Sequence, residues 1–261
     1  MIVSFDLDGV LMENPFGQGL FPEIKQKLKK QYEENHSKSI SEEVIWLNIK
    51  SEFKNRTSKN LYTAYDWDDI IQTVAENLRL PGGINIETMI NDYLKEPYIH
   101  LYQDGKELLD KLKKFDIDLY VVTNGYYKYQ YPVLETLGIA DYFSKIITTD
   151  RAEAVKPESK IFVPELKNSD NWFHIGDSLL MDIYGANKLS ANTVLVYRDL
   201  TEDLLKLSAA ERPDSEIAIE LMNEKLADEL SLNRWEYEEE LIYPDYRVKS
   251  LEEVFPILNI Q

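Results

Sequence analysis

Short β-favouring runs recur along this 261-residue chain, each cut off by glycine, aspartate, threonine or asparagine: Ile2–Leu7, Ile117–Thr123, Lys145–Thr149, Asn171–Gly176 and Thr193–Tyr197. Between the later runs the apolar residues fall at helical spacing, as at Leu108, Leu109, Leu112 and Phe115, and again at Val133, Leu134 and Leu137. Strands that alternate with helices must pair in parallel, with crossovers that place helices on both faces. The expected fold class is therefore α/β, a doubly wound parallel sheet. In such sheets ligands gather at the carboxyl ends of the strands, so the residues just after each run are the ones with chemical promise.

From residue 14 to residue 97 the pattern changes. No strand is evident, and apolar stripes appear at Leu20, Ile24, Leu28 and Tyr32, at Ile45, Ile49 and Phe53, at Trp67, Ile70, Ile71, Val74 and Leu78, and at Ile86, Met89, Ile90 and Tyr93. These predict a smaller all-helical domain over 14–97, inserted into a discontinuous core of 1–13 and 98–261. Its aromatic and methionine positions are expected mainly in its own core. Pro81-Gly82-Gly83 predicts a turn within it.

The chain has no cysteine, so disulfides and thiolate metal sites are ruled out and any metal ligand must be oxygen or imidazole. The start at MIVSFDLDG shows no basic leader, and no apolar stretch approaches the roughly 18 residues of a membrane span, which predicts a cytoplasmic protein without a membrane partner. A formal charge of −18 argues against a nucleic-acid polymer as partner. Small anions remain possible substrates, because a metal and one or two cations reverse the field locally. The acidity is concentrated in residues 199–243, where fourteen Asp or Glu face four Lys or Arg. That stretch also has helical spacing at Ile219, Met222, Leu226 and Leu230, which predicts a face packed on the core or on a second chain. A solvated charged surface is the simplest meaning of its acidity.

The strand ends carry the chemistry. Asp6-Leu7-Asp8-Gly9 follows the first run, Thr123-Asn124-Gly125 the second, and Gly176-Asp177-Ser178 the fourth, with Asp182 beyond it; Lys156-Pro157 leaves the third. Each motif alone has an ordinary explanation: a turn for Asp-x-Asp-Gly or Thr-Asn-Gly, a surface lysine for Lys156, a helix cap for Asp177 or Ser178. Brought to one sheet edge, however, several carboxylates would repel unless a divalent cation joined them, and all-oxygen ligands favour Mg2+. A carboxylate can attack a metal-bound phosphate and form an acyl-phosphate. A lysine and hydroxyl donors then match the charge on the equatorial oxygens.

The motifs FDLDGVL, VVTNG, VKPESKIF and HIGDSLLMDIYGA, in that order, resemble those of the haloacid dehalogenase-like superfamily. The resemblance implies a Rossmann-like core with a helical cap and a phosphatase. It makes Asp6 the nucleophile and Asp8 the general acid and base, with Asp6, Asp177, the Asp8 main-chain carbonyl and Asp182, directly or through water, on Mg2+. Thr123, Asn124 and Lys156 would hold the substrate phosphate, and Lys156 would also orient the nucleophile. Met12–Phe16 and Glu96–His100 become the expected hinges. A phosphomutase on the same fold, or a non-catalytic metal- and phosphate-binding protein, remains an alternative. A dehalogenase of this superfamily would lack the second aspartate of the first motif. The expected partner is a small phosphate ester, with self-association through 199–243 left open. His174 is expected to be a hydrogen-bonded strand residue, His36 and His100 cap-surface and connector residues, and Arg56, Lys59 and Arg79 members of a solvated helix face.

Overall fold

The computed structural model of the chain describes residues 1–59, 62–167, 171–232 and 236–260. The described strands are β1 (Ile2–Phe5), β2 (Met12–Glu13), β3 (His100–Leu101), β4 (Asp118–Thr123), β5 (Lys145–Thr148), β6 (Trp172–Gly176), β7 (Asn192–Val196) and β8 (Tyr246–Val248). Six of them form one sheet in the order β5-β4-β1-β6-β7-β8. Every neighbouring pair in it is parallel. All five runs foreseen in the sequence are present, four of them as strands somewhat shorter than the run and the fifth, β7, shifted by one residue. The sixth, β8, has only three residues and too little pattern to be read in advance.

β1 lies between β4 and β6, and Val3, Ser4 and Phe5 are wholly buried. A central strand covered on both faces has no polar alternation to show, hence the apolar run IVSF. The chain leaves β1 toward β4 and β5, then returns to its other side at β6. This reversal opens a crevice at the carboxyl ends of β1, β4 and β6, where the charged motifs sit.

The segment between β2 and β3 is helical, as expected. Helices run over Phe21–His36, Glu42–Thr57, Trp67–Asn77 and Ile86–Met89, with the last continued by a tighter turn over Ile90–Tyr93. Their starts are local: Ser41 Oγ accepts from Val44 N at 3.2 Å and Asn85 Oδ1 from Thr88 N at 2.7 Å, satisfying donors that a helix start leaves free. The entering and leaving strands meet as an antiparallel pair, Met12 opposite Leu101 and Glu13 opposite His100. The apolar core is continuous from Val3 and Phe5 through Phe16 and Leu20 to Ile45 and Ile70.

Two positions of this helical segment differ from expectation. Arg56 is not on a solvated face: it is buried, bound to Glu52 at 2.7 Å and Asp69 at 2.6 Å, and donates to Thr63 O. A guanidinium carries enough donors to be buried when carboxylates meet it, which helix periodicity alone does not reveal. His36 is only half-buried, with Nε2 2.9 Å from Leu78 O. Lys59 and Arg79 are exposed as foreseen, and His100 stands beside Glu96 at 3.0 Å.

The acidic stretch contains a helix over Glu216–Leu232. Its Met222 and Leu226 are buried against Leu179, Leu180, Ile183 and Tyr184 of the same chain. Lys54 Nζ, on the helix Glu42–Thr57, donates to Ser231 O at 3.3 Å, so the stretch also touches the helical segment. Among the described residues no helix is long and apolar enough to cross a membrane.

Candidate active site

The four motifs converge. Lys156 Nζ lies 2.9 Å from Asp6 Oδ1 and 2.6 Å from Asp182 Oδ1, its side chain almost fully buried. Asp6, Asp177 and Asp182 each offer a carboxylate oxygen, all within 4.8 Å of one another. Two glycines make the approach possible. A Cβ on Gly9, which sits at φ +73°, would come within 2.8 Å of Asp177 Oδ2, and one on Gly176 within 2.2 Å of Asp182 Cγ.

Asp182 is the most tightly held of these acids. Its Oδ1 meets Lys156 and His174 Nε2 at 3.2 Å, and its Oδ2 accepts from Ser178 N at 3.0 Å. His174 in turn has Nδ1 2.8 Å from Ser4 Oγ, which accepts from Trp172 Nε1 at 2.7 Å. His174 is the hydrogen-bonded strand residue foreseen, and it also fixes Asp182. Asn124, expected on a phosphate, lines the cavity, and its side chain also bridges two neighbours: Oδ1 accepts from Lys156 N at 2.7 Å, and Nδ2 donates to Tyr65 OH at 3.1 Å. It therefore holds the lysine backbone in place. Thr123 Oγ1 accepts from Gly125 N at 3.2 Å at the end of β4.

Burial penalises every charge here, and its balance against neighbours differs from group to group. Asp6 is raised by burial and by Asp182 despite Lys156. Burial, then the charges of Asp182 and Asp6, push Asp177 up to about 8. Asp8 rises to about 7 through burial and the charge of Asp6, against the amides of Asn14 and Gln130. Its Oδ1 is buried with no hydrogen-bond partner. Asp182, although burial works against it, is held well below the usual carboxylate range by Lys156 and His174. Burial likewise opposes the charge of Lys156, but Asp182 and Asp6 raise it well above the ordinary lysine value.

These groups floor a cavity of about 350 Å³. Asp6, Asp8, Thr123, Asn124, Lys156 and Asp182 lie at the polar end, and Phe16, Phe21, Tyr65 and Trp67 of the helical segment form much of the rest. Phe21 and Trp67 meet edge to face at 4.9 Å between centroids, and Phe16 meets Tyr129 of the core at 5.5 Å.

The family model for haloacid dehalogenase-like hydrolases matches residues 3–196, which include every motif above. The chain belongs to this family. Among curated relatives it is 33% identical over 128 residues to a ribulose-1,5-bisphosphate 5-phosphatase of Halopiger xanaduensis, covering 48% of this chain and 52% of that one. It is 29% identical over 127 residues to a glyceraldehyde 3-phosphate phosphatase of Methanopyrus kandleri, covering 47% and 54%. The chain thus spans about half the length of these relatives. Among solved structures, a HAD phosphatase from Thermococcus onnurineus aligns over 99% of this chain and 97% of its own, at 24% identity and a TM-score of 0.67. The putative HAD-hydrolase YfnB of Bacillus subtilis, solved bound to magnesium, aligns over 99% and 98% at 18% identity and 0.56. Both support the fold.

For a haloacid dehalogenase-like hydrolase, the remaining question of composition is whether these residues suit a metal. Three carboxylates lie within 4.8 Å of one another with a single ammonium, Lys156, beside two of them, so negative charge exceeds positive at this point. A hard divalent cation fits both that excess and the oxygen donors. Sequence reasoning missed Asn14 and Gln130 beside Asp8, the aromatic wall, and Glu229. The aromatic stripes were visible, but helical spacing cannot distinguish a side chain that lines a cavity from one that fills a core.

Proposed function

We propose that this hydrolase is a magnesium-dependent phosphatase that cleaves a small phosphate monoester through an aspartyl-phosphate on Asp6. The observation that carries the reading is the Asp6 carboxylate at the cavity floor, 2.9 Å from a buried Lys156, with Asp8 raised to about 7 two residues away. Asp6 attacks phosphorus and the ester P–O bond breaks, while Asp8 gives its proton to the departing oxygen. Asp8 then takes a proton from water, whose oxygen attacks phosphorus and frees Asp6 and inorganic phosphate. An acid near pH 7 suits both roles. Lys156 and Thr123 meet the charge on the transferred oxygens. Mg2+, held by Asp6, Asp177, the Asp8 carbonyl and Asp182, would neutralise phosphate charge. Asp182, whose oxygens both accept hydrogen bonds, would join that site directly or through water. Residues 14–97 would act as the cap, hinged at the β2–β3 pair, over a core of 1–13 and 98–261.

Acid quenching during turnover, followed by borohydride reduction and peptide mapping, should place the label on Asp6, and Asp6→Asn should lose both label and turnover. Asp8→Asn should reduce turnover of an alkyl phosphate by about 10²–10⁴-fold, and that of an aryl phosphate less, because its leaving group scarcely needs a proton. Chelator should stop both. A label on another residue, or normal turnover by Asp6→Asn, would overturn the reading.

The lining also points to a substrate class. Among the described residues Lys156 is the sole cation on the cavity wall, and Phe16, Phe21, Trp67, Tyr129 and Met181 offer apolar surface. A second phosphate or a carboxylate on the substrate would be desolvated without a further cation to pair it. The leaving group is therefore uncharged, with an apolar or aromatic face. Across a panel of esters, kcat/KM should favour such monophosphates over bisphosphates, including the one in the Halopiger relative's name. Trp67→Ala should narrow that preference. A bisphosphate as the best substrate would contradict this assignment and leave the aspartyl-phosphate mechanism standing.

A further inference from the structure

The carboxylate of Asp177 has no hydrogen bond of its own among the described residues, so its position depends on the backbone that carries it. That backbone is gripped from the acidic stretch. Glu229, on the helix Glu216–Leu232, accepts through Oε2 from Ser178 Oγ at 2.8 Å and from Leu180 N at 2.8 Å, and through Oε1 from Leu179 N at 2.9 Å. Ser178 Oγ accepts from Met181 N at 3.1 Å, and Ser178 N donates to Asp182 Oδ2 at 3.0 Å. The turn that bears both Asp177 and Asp182 is thus tied to one remote side chain. The packing of Met222 and Leu226 on Leu179, Leu180 and Ile183 sets the reach of that side chain.

A fourth carboxylate next to Asp6, Asp177 and Asp182 would be unfavourable if its charge were unmatched. Glu229 meets three donors at the start of the helical turn Leu179–Ile183, where the free N–H groups favour an anion, and Lys225 Nζ lies 3.4 Å from its Oε1. Its side chain is only 15% exposed. A solvated charged surface, the simplest meaning of the acidic stretch, does not account for this residue.

We infer that Glu229 is a positioning residue for the proposed magnesium site, holding the Gly176–Asp182 turn so that Asp177 faces Asp6. This rests on the reading of Asp6, Asp177 and Asp182 as metal-binding. It makes part of the acidic stretch a working component of the site. Residues that orient metal ligands are commonly worth about 10–100-fold in metal affinity.

The test is Mg2+ titration by calorimetry of the full chain and of Glu229→Ala, Glu229→Gln and Glu224→Gln. Glu224 is an exposed acid on the same helix, and its loss removes the same charge without touching the turn. Both Glu229 variants should bind Mg2+ about 10–100-fold more weakly, with Glu224→Gln unchanged. Turnover should recover toward the parent value as Mg2+ is raised, and because Mg2+ also stabilises the folded chain, urea unfolding without Mg2+ should show each variant folded at the titration temperature. If Glu229→Ala fails to fold, the near-isosteric Glu229→Gln decides. Parental Mg2+ affinity in the Glu229 variants, or equal weakening in Glu224→Gln, would overturn the inference. Absence of Mg2+ binding by the parent chain would instead overturn the functional reading beneath it.

Discussion

At the scale of single residues, the carboxyls at the strand ends link protonation to metal binding and to stability. Asp8 and Asp177, raised to about 7 and about 8, and Asp6, also raised, keep protons in the folded chain that they release at ordinary pH when unfolded. The metal-free fold therefore binds more protons than the unfolded chain from about pH 4 to pH 8, and these groups make it less stable as pH rises through that window. Asp182 has the opposite sign: its lowered value contributes stability above the ordinary carboxyl range that is lost only in stronger acid, outside the window. Mg2+, bound as proposed, would compete with the retained protons. The increase in thermal midpoint given by a fixed Mg2+ concentration should accordingly be larger at about pH 8 than at about pH 6. Thermal unfolding at both values checks this, and an increase that is larger at pH 6 would contradict the assigned shifts.

Individual elements carry different loads. The helix Glu216–Leu232 packs Met222 and Leu226 within its own chain, the first of the two arrangements that its spacing allowed. Leu226→Ala should lower stability by about 2–3 kcal/mol in urea unfolding, whereas Ile217→Ala, at an exposed position, should change it little. A drop in sedimenting mass without loss of stability would instead indicate a contact between chains. The helix Trp67–Asn77 is tied to the core by a cluster of charges. Lys128 Nζ lies 3.1 Å from Asp66 and 2.8 Å from Asp68, and Tyr129 OH bonds to both acids. These contacts hold Trp67 over the cavity in the arrangement described. Separating the helix from the core would break them all.

Over the whole molecule, a net charge of −18 is a source of self-repulsion concentrated in 199–243. Raising ionic strength from about 0.01 M to 0.15 M shortens the screening length from about 30 Å to 8 Å, so the metal-free chain should unfold at higher temperature in the saltier buffer. Sodium chloride serves for the measurement, since it adds no divalent cation. A fall in the midpoint would mean that favourable ion pairs such as Arg56 with Glu52 and Asp69 outweigh the repulsion.

The sequence alone determined five of the sheet's six strands, its helical insertion and the carboxylates and lysine that meet at its edge, because period-2 and period-3.6 patterns and strand-end motifs are local properties. Asp6, Asp8, Thr123, Lys156 and Asp177 follow from the rule that strand ends face the crevice. Tertiary structure decided what depends on contacts between distant segments. Asn124 supports Lys156, and Asp182 is held by Lys156, His174 and Ser178. Phe21 and Trp67 line a cavity, although their spacing suits a closed core equally well. Glu229 reaches Ser178 across 51 residues, a pairing that no local pattern encodes because it exists only once Met222 and Leu226 have docked.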